Sequence, residues 1–536
     1  MQKNSQPPDM DNFSRTQGIR KSVVPTRGGV VAAQHRRAAE VGAAVLDAGG
    51  DAVDAAVATS FAIGVVEPWM SGVAGGGAMT LWRAAEGKAW TVNYGMRAPG
   101  ALNPADYPLA KAGGQKADLF TWAAVEGDRN VQGASAIAVP GVVAGMDLAH
   151  GRYGRLPWKD LVQPAVGLAR QGLLVDWFSA LLTASCARSL AADPDAARMF
   201  LDDGTWPIVG GWTSVCDRHL DQQALAATLA RIADRGASEF YQGDVGRMLV
   251  KDVQDKGGCL SQADLRGYRA EIAPSLVIPY RGGNVYAAPG LTAGPTFRQC
   301  MESLSASLVP GQNGPDANSY VAYAQALDAG YRSRLSSLGD AEAPGAPSCT
   351  THFCVVDREG NMCAVTQTLL SVFGSKVVSP STGVLMNNGI MWFDPEPGKP
   401  NSLGPNKRCL MNVCPVVGER ADGARFALGA SGGRKIMGAV LQLTSFLMDH
   451  GLTLEQAFHC QRIDMSGGTE VTADSTLPMD VVEALQRVFP TVRAKRTFFP
   501  YSFACPSGVL RLDGMNMGCT EIMSPLGDAV AEGSVF

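Results

Sequence analysis

Apolar and polar positions follow two regimes along the chain, helical spacing before residue 350 and alternation after it. After a strand-like Gly29-Val30-Val31-Ala32-Ala33, residues 36–48 repeat at helical spacing and stop at Gly49-Gly50, a glycine C-cap. Asp51 is placed to cap a second helix that reaches Val66 and ends before Pro68. The glycine-rich stretch 71–77 leads into a strand over 78–82. It precedes a strand instead of joining strand to helix, so close backbone packing explains it better than phosphate binding. Helical spacing returns over 142–172, interrupted at Pro157 and Pro164, then over 223–235, and in a helix opening at 238–243 and running toward Gly257-Gly258. Ser261 with Asp264 reads as a capping box, 276–280 and 284–288 as short strands, and 319–338 as a helix leading into a loose segment at 340–347.

Beyond that segment, residues 352–357 and 361–369 alternate apolar and small side chains around Arg358-Glu359-Gly360, a three-residue hairpin loop with glycine last. With Asp357 and Asn361 as the closing pair, the register sets Thr350 directly opposite Thr368. Residues 426–428 then predict a strand, 429–433 a turn, 435–450 a helix closed by Gly451, and Thr453 with Gln456 another capped start.

Composition narrows this picture without changing it. The 536 residues, with 62 glycines, 31 prolines and 18% charged residues, describe a turn-rich globular chain of about two to four domains or one large layered unit. A net charge of -4 offers no basic field, so neither nucleic acid nor an acidic membrane is an expected partner. Residues 1–20 are polar and lack the apolar core of a secretory signal, which predicts a frayed start and a cytoplasmic protein. The longest apolar run, 55–66, is too short to span a bilayer and reads as a buried helix. Twelve cysteines form no CxxC pair and are expected to be reduced thiols; His459-Cys460 and Cys409 with Cys414 are the only ligand-like pairs, and no metal or cofactor is expected.

The candidate chemistry centres on Cys349-Thr350-Thr351-His352. A threonine hydroxyl becomes a good nucleophile only beside a base, and the nearest base is the residue's own α-amine, which cutting the Cys349-Thr350 bond would free. Gly432 and Gly433, before a helix, offer backbone N–H groups and a positive dipole end to a developing oxyanion. His352 follows the threonine pair, but alternation assigns it to a packed strand. Gly429-Ala430-Ser431-Gly432-Gly433 also matches the GxSxG elbow of serine hydrolases, with Asp449 and His459 in the right order, though no alternating β/α run precedes it.

Three blocks carry a resemblance: Val45 to Ala56 with its Ala48-Gly49-Gly50-Asp51 centre, Thr350-Thr351-His352-Phe353-Cys354-Val355-Val356-Asp357, and Gly404-Pro405-Asn406-Lys407-Arg408. With Val139-Pro140-Gly141, Glu239-Phe240-Tyr241-Gln242-Gly243 and Tyr280-Arg281-Gly282 in the same order, the chain resembles the γ-glutamyltransferase family of N-terminal-nucleophile hydrolases over nearly its whole length. The resemblance implies an α+β fold, a four-layer αββα sandwich, made as a precursor that cuts itself between Cys349 and Thr350. The fragments would be 21–349 and 350–536, forming one protomer, with any homo-oligomer left open. It implies Thr350 as nucleophile, Thr368 as supporting hydroxyl and Gly432 and Gly433 as oxyanion donors, acting on a small-molecule amide.

The departures from the family concern substrate choice. Its glutamyl-reading arginine falls on Gly95, beside Met96 and Arg97; its serine pair falls on Met411 and Asn412; and the groups that hold the α-amino group fall on Leu370, Gly389 and Trp392. Losing a charged partner costs a zwitterion site several kcal/mol. The expected pocket is therefore more apolar and not γ-glutamyl, with Asn412 and Arg97 as its polar candidates and Arg97 able to hold a carboxylate from a shifted position. The alternatives are a glutathione hydrolase with an altered pocket, the Ser431 hydrolase, and an uncut pseudoenzyme. The segment between residue 340 and Thr350 is also short for the family.

Overall fold

Period-two alternation sends successive side chains of each strand to opposite faces, and here both faces find a partner. The computed structural model describes residues 18–110, 122–210, 217–311, 314–338 and 349–534. The expected loose segment at 340–347 and residues 1–17 of the expected frayed start lie outside them. One seven-stranded sheet runs, in spatial order, Asp528–Ala531, Val30–Ala33, Cys349–Val356, Met362–Leu370, Gly76–Arg83, Lys88–Tyr94 and Glu271–Pro274. The other runs Val24–Thr26, Met515–Thr520, Cys505–Leu512, Arg425–Ser431, Val416–Glu419, Gly283–Ala287 and Leu276–Tyr280. Every pairing in both is antiparallel.

Val30, Ala32, Cys354, Val356 and Ala364 from the first sheet meet Val417, Ala427 and Val509 from the second in a thin core of small residues. The alternate residues Val31, Ala33, Phe353 and Val355 face a helical layer that includes Ala52–Val66. Phe426, Leu428 and Ala430 face a second helical layer containing Lys435–Met448 and Ala317–Leu338. The result is the expected four-layer αββα sandwich. All fifteen residues of Ala52–Val66 are buried, as suits a helix that is mostly apolar around its circumference, and Asp51 and Asp54 close a reciprocal capping box at its start. Among the described residues no helix is long and apolar enough to cross a membrane.

Three local readings need correction. The strand expected at 426–428 runs from Arg425 to Ser431, so Gly429, Ala430 and Ser431 are strand and the turn begins only at Gly432. The helix expected from 238 toward 257 is broken into Ser238–Tyr241 and Asp244–Asp255. Pro164 lies inside the helix Trp158–Gln171 without ending it.

Candidate active site

The hairpin forms in the expected register, with Val356 opposite Met362 and Thr351 opposite Gln367. At its open end the ladder slips: Cys349 pairs with Leu370, so Thr350 faces both Thr368 and Leu369 across a β-bulge that the alternation did not foretell. The two hydroxyls nevertheless meet, Thr350 Oγ1 donating to Thr368 Oγ1 at 3.4 Å, with both residues buried. Leu370 donates its backbone N–H to Thr368 Oγ1 at 2.7 Å and holds φ at +86°, an unusual value for a residue with a side chain. The bulge thus fixes the Thr368 hydroxyl from one side while Thr350 approaches it.

The glycine-rich stretch packs tightly behind this hairpin. A Cβ on Gly75 would lie 2.5 Å from the Thr368 carbonyl oxygen, and one on Gly77 2.1 Å from that of Thr366. Only glycine lets this segment come so close to the strand that carries Thr368.

A polar network that the sequence reading missed ties the same end of the molecule together. Thr351 Oγ1 donates to Glu67 Oε2 at 2.6 Å and lies 3.5 Å from Gln34 Oε1. Gln34 Nε2 donates to Ser431 Oγ at 2.6 Å and to the Cys505 carbonyl at 2.7 Å. Glu67 caps the C-terminal end of Ala52–Val66 with its side chain buried, and that burial raises its pKa to about 8 against the opposing effect of the Thr351 hydrogen bond. A carboxyl at the end of an all-apolar helix was the one available signal. Its partner Thr351, however, and the Gln34, Ser431 and Cys505 linked to it come from segments distant in sequence.

Gly432 and Gly433 form the turn between Arg425–Ser431 and Lys435–Met448, with φ of +127° and +60°, and their carbonyls accept the first N–H groups of the helix, from Lys435 and Ile436. Among the described residues Ser431 has no histidine partner: its hydroxyl contacts Gln34 and the Cys505 carbonyl. His459 Nδ1 pairs with the Glu455 carbonyl, and Asp449 accepts from Arg281 Nε and Tyr280 OH. The three members of the GxSxG alternative therefore form no relay. His352 is fully buried, its Nδ1 2.8 Å from Thr366 Oγ1, and burial lowers its pKa to about 3, which marks a neutral structural ring. Among the described residues no three His, Cys, Asp or Glu side chains gather as a metal site.

A family model described as gamma-glutamyltranspeptidase matches residues 38–349 and 344–501. The chain belongs to the γ-glutamyltranspeptidase family. It is 32% identical to an acylase ACY 1 proenzyme of Pseudomonas sp. (strain V22), over 87% of this chain and 88% of the relative. It is 28% identical to a glutathione hydrolase proenzyme of Bacillus subtilis (strain 168), over 87% of this chain and 85% of the relative. The crystal structure of cephalosporin acylase from Bacillus halodurans superimposes with a TM-score of 0.81 at 25% identity, covering 97% of this chain and 98% of that one. As a member of this family the protein is an N-terminal-nucleophile hydrolase acting on amide bonds.

In this family member, most of the positions expected to choose the substrate converge. Met96, Leu370, Trp392 and Met411 pack in one apolar cluster. A Cβ on Gly95 would lie 2.7 Å from Met411 Cε, so the thioether occupies the space a side chain at 95 would need. Gly389 is closed in the same way by Ala138 and Met96. Arg97 turns elsewhere, donating to the Asp264 carbonyl at 3.2 Å, and its buried Nε has no hydrogen-bond partner among the described residues. Asn412 is held through its Oδ1 by Arg334, a residue that the sequence reading passed over.

Proposed function

We propose that the chain matures by cutting its own Cys349-Thr350 bond and that Thr350 then acts as the nucleophile of an amidohydrolase or acyltransferase. The observation that carries this reading is the Thr350–Thr368 hydroxyl pair at the bulge, where the backbone pairing that would otherwise hold the scissile peptide in the sheet is interrupted. In the reaction, Thr350 Oγ attacks the substrate carbonyl carbon and its proton passes to the freed α-amine. The Gly432-Gly433 turn receives the oxyanion. Collapse breaks the carbon–nitrogen bond, the α-amine returns the proton to the departing amine, and an ester to Thr350 remains for water or a second amine to open. Thr368 supports the nucleophile's hydroxyl.

The acyl group is proposed to differ from γ-glutamyl, because Met411 fills the space above Gly95 and Trp392 and Leu370 present apolar surface where the family holds an amino acid's charged groups. The acylase relatives, named as proenzymes, are in keeping with both parts of this reading.

Electrophoresis and mass analysis of the purified protein test it, with fragments ending at Cys349 and beginning Thr-Thr-His as the expected result. Thr350→Ala should stay whole and lose at least about a thousandfold in amide turnover, whereas Thr350→Ser should still be cut, more slowly. An active preparation that remains one chain refutes the mechanism, and an inactive single chain returns the pseudoenzyme. Efficient turnover of a γ-glutamyl anilide would refute the altered pocket and restore a glutathione hydrolase.

A further inference from the structure

The polar bridge between the two sheets has a direction that follows from its donors and acceptors. The Cys505 carbonyl can only accept, so the Gln34 atom 2.7 Å from it is the amide nitrogen. That nitrogen gives its other proton to Ser431 Oγ at 2.6 Å, which leaves Gln34 Oε1 toward the Thr351 hydroxyl at 3.5 Å. Oε1 also can only accept, so this last contact becomes a hydrogen bond only when Thr351 donates. Thr351, however, has a single hydroxyl proton, and Glu67 Oε2 stands closer, at 2.6 Å. Two acceptors compete for one proton.

Glu67 decides between them. As a carboxylate it keeps the Thr351 proton, and Gln34 Oε1 goes without that donor. As a carboxylic acid it donates its own O–H along the same 2.6 Å line, and Thr351 is free to donate to Gln34. The bridge then runs unbroken from Glu67 through Thr351 and Gln34 to Ser431 and Cys505. Burial raises the Glu67 pKa to about 8, the Thr351 hydrogen bond opposing it, and among the described residues no cation offsets this. The titratable neighbours along the bridge are neutral near pH 7, chiefly through burial: His35 beside Gln34, with its pKa lowered to about 4, His352 beside Thr351, lowered to about 3, and the Cys505 thiol, pushed up. Both ends of the bridge adjoin the reaction centre. Thr351 follows Thr350, and Ser431 with Cys505 is the last paired rung before the glycine turn. Gly432 packs against the residue preceding Cys505, since a Cβ on it would lie 3.0 Å from Ala504 Cα. Glu67, Thr351, Gln34, Ser431 and Cys505 are all buried, so solvent does not readily replace a missing bond.

We propose that Glu67, Thr351 and Gln34 are positioning residues for the reaction: their bridge holds the Thr350 strand and the Gly432-Gly433 turn at the separation the oxyanion needs, and it is complete only while Glu67 keeps its proton. The role rests on Thr350 as the nucleophile and deepens that reading by adding a control on it. Donors to an oxyanion act through their exact placement, so a turn released from the threonine strand lowers the rate of attack more than it weakens substrate binding. Two protons then shape the pH dependence. Activity rises as the Thr350 α-amine becomes free to act as base, ordinarily near pH ~8, and falls as Glu67 ionises and the bridge opens.

Two measurements on the purified full-length chain test this. The first follows acylation by 4-nitrophenyl acetate, a probe small enough to need no particular acyl pocket, as the 4-nitrophenol released above that of Thr350→Ala. The parent should show a bell-shaped pH profile, and Glu67→Gln, which cannot ionise, should lose the alkaline fall. Thr351→Val should lower the maximal rate at least about tenfold with half-saturation changed less than about twofold, and Thr351→Ser should restore most of the rate. The second is a double-mutant cycle on stability between Thr351→Val and Ser431→Ala, residues joined only through Gln34. Their effects should be non-additive near pH ~6, where the bridge is complete, and additive near pH ~9.5, where it is open. An alkaline fall that persists in Glu67→Gln, or effects that add at both pH values, overturns the bridge. Release that depends on Thr350 without coupling refutes the bridge alone, whereas coupling without such release refutes the Thr350 reading and the positioning role with it.

Discussion

At the scale of single residues, the Thr350–Thr368 contact is long for a hydroxyl pair, 3.4 Å against the usual ~2.8 Å. Catalytic hydrogen bonds commonly tighten only once the reacting state forms. Thr368 has a second task, accepting the Leu370 N–H that keeps the strained bulge in place. Thr368→Val preserves volume but removes both interactions, so it should slow fragment appearance by at least about tenfold and, by leaving a buried N–H unpaired, lower stability by about 1–3 kcal/mol. Thr368→Ser should restore most of both. A time course of cleavage beside a urea melt checks this, and a variant destabilised yet cut at the normal rate would confine Thr368 to a structural part.

At the scale of elements, the strand Gly76–Arg83 matters for its closeness more than its chemistry. Gly77→Ala would drive a methyl group to within 2.1 Å of the Thr366 carbonyl and 2.9 Å of Gln367 Cα, both backbone atoms that cannot swing away. The expected cost is about 2–4 kcal/mol with slower maturation, read by denaturant melts and by the ratio of whole chain to fragments. Local chemistry made much of this legible beforehand: the Arg358-Glu359-Gly360 loop set the hairpin register, and Asp51, Ser261 and Thr453 cap helices through their side chains as their spacing suggests. What escaped depended on partners far away in sequence. Gly429-Ala430-Ser431 has the composition of a turn, yet it is strand, and Gly429 must be small because the His352 ring lies 2.2 Å from where its Cβ would be. The pocket reading fared similarly. Gly95 and Met411 disclosed an apolar wall, but Arg334 lies in a long helix with nothing nearby in sequence to show that it faces Asn412.

At the scale of the whole molecule, the two sheets meet through small apolar side chains over most of their area and through a polar bridge at the end that holds Thr350. Gln34 leaves the first sheet and binds Ser431 and Cys505 of the second, while Thr351 connects Gln34 to Glu67, so the bridge bears on the spacing between the threonine strand and the glycine turn. Glu67 makes this bridge sensitive to pH. Its folded pKa of about 8 lies above the ordinary 4.5 because burial disfavours the charged form, so between those values the folded chain holds a proton that the unfolded chain has released. Its contribution to stability is therefore fully present below pH 4.5 and is lost as pH rises through 8. The buried imidazoles act at the other end: His352 at about 3 and His35 at about 4 stay neutral while the unfolded chain takes up protons, which erodes stability as pH falls below 6.5. Glu67→Gln keeps an acceptor for Thr351 and removes the titration. The stability of the variant minus that of the parent should then climb with pH from about 4.5 to 8, by up to about 1.4 kcal/mol per pH unit, and level off above, as urea melts across that range would read. A difference that is flat with pH would mean that Glu67 is ionised in the folded chain and that Thr351 is held by a charge.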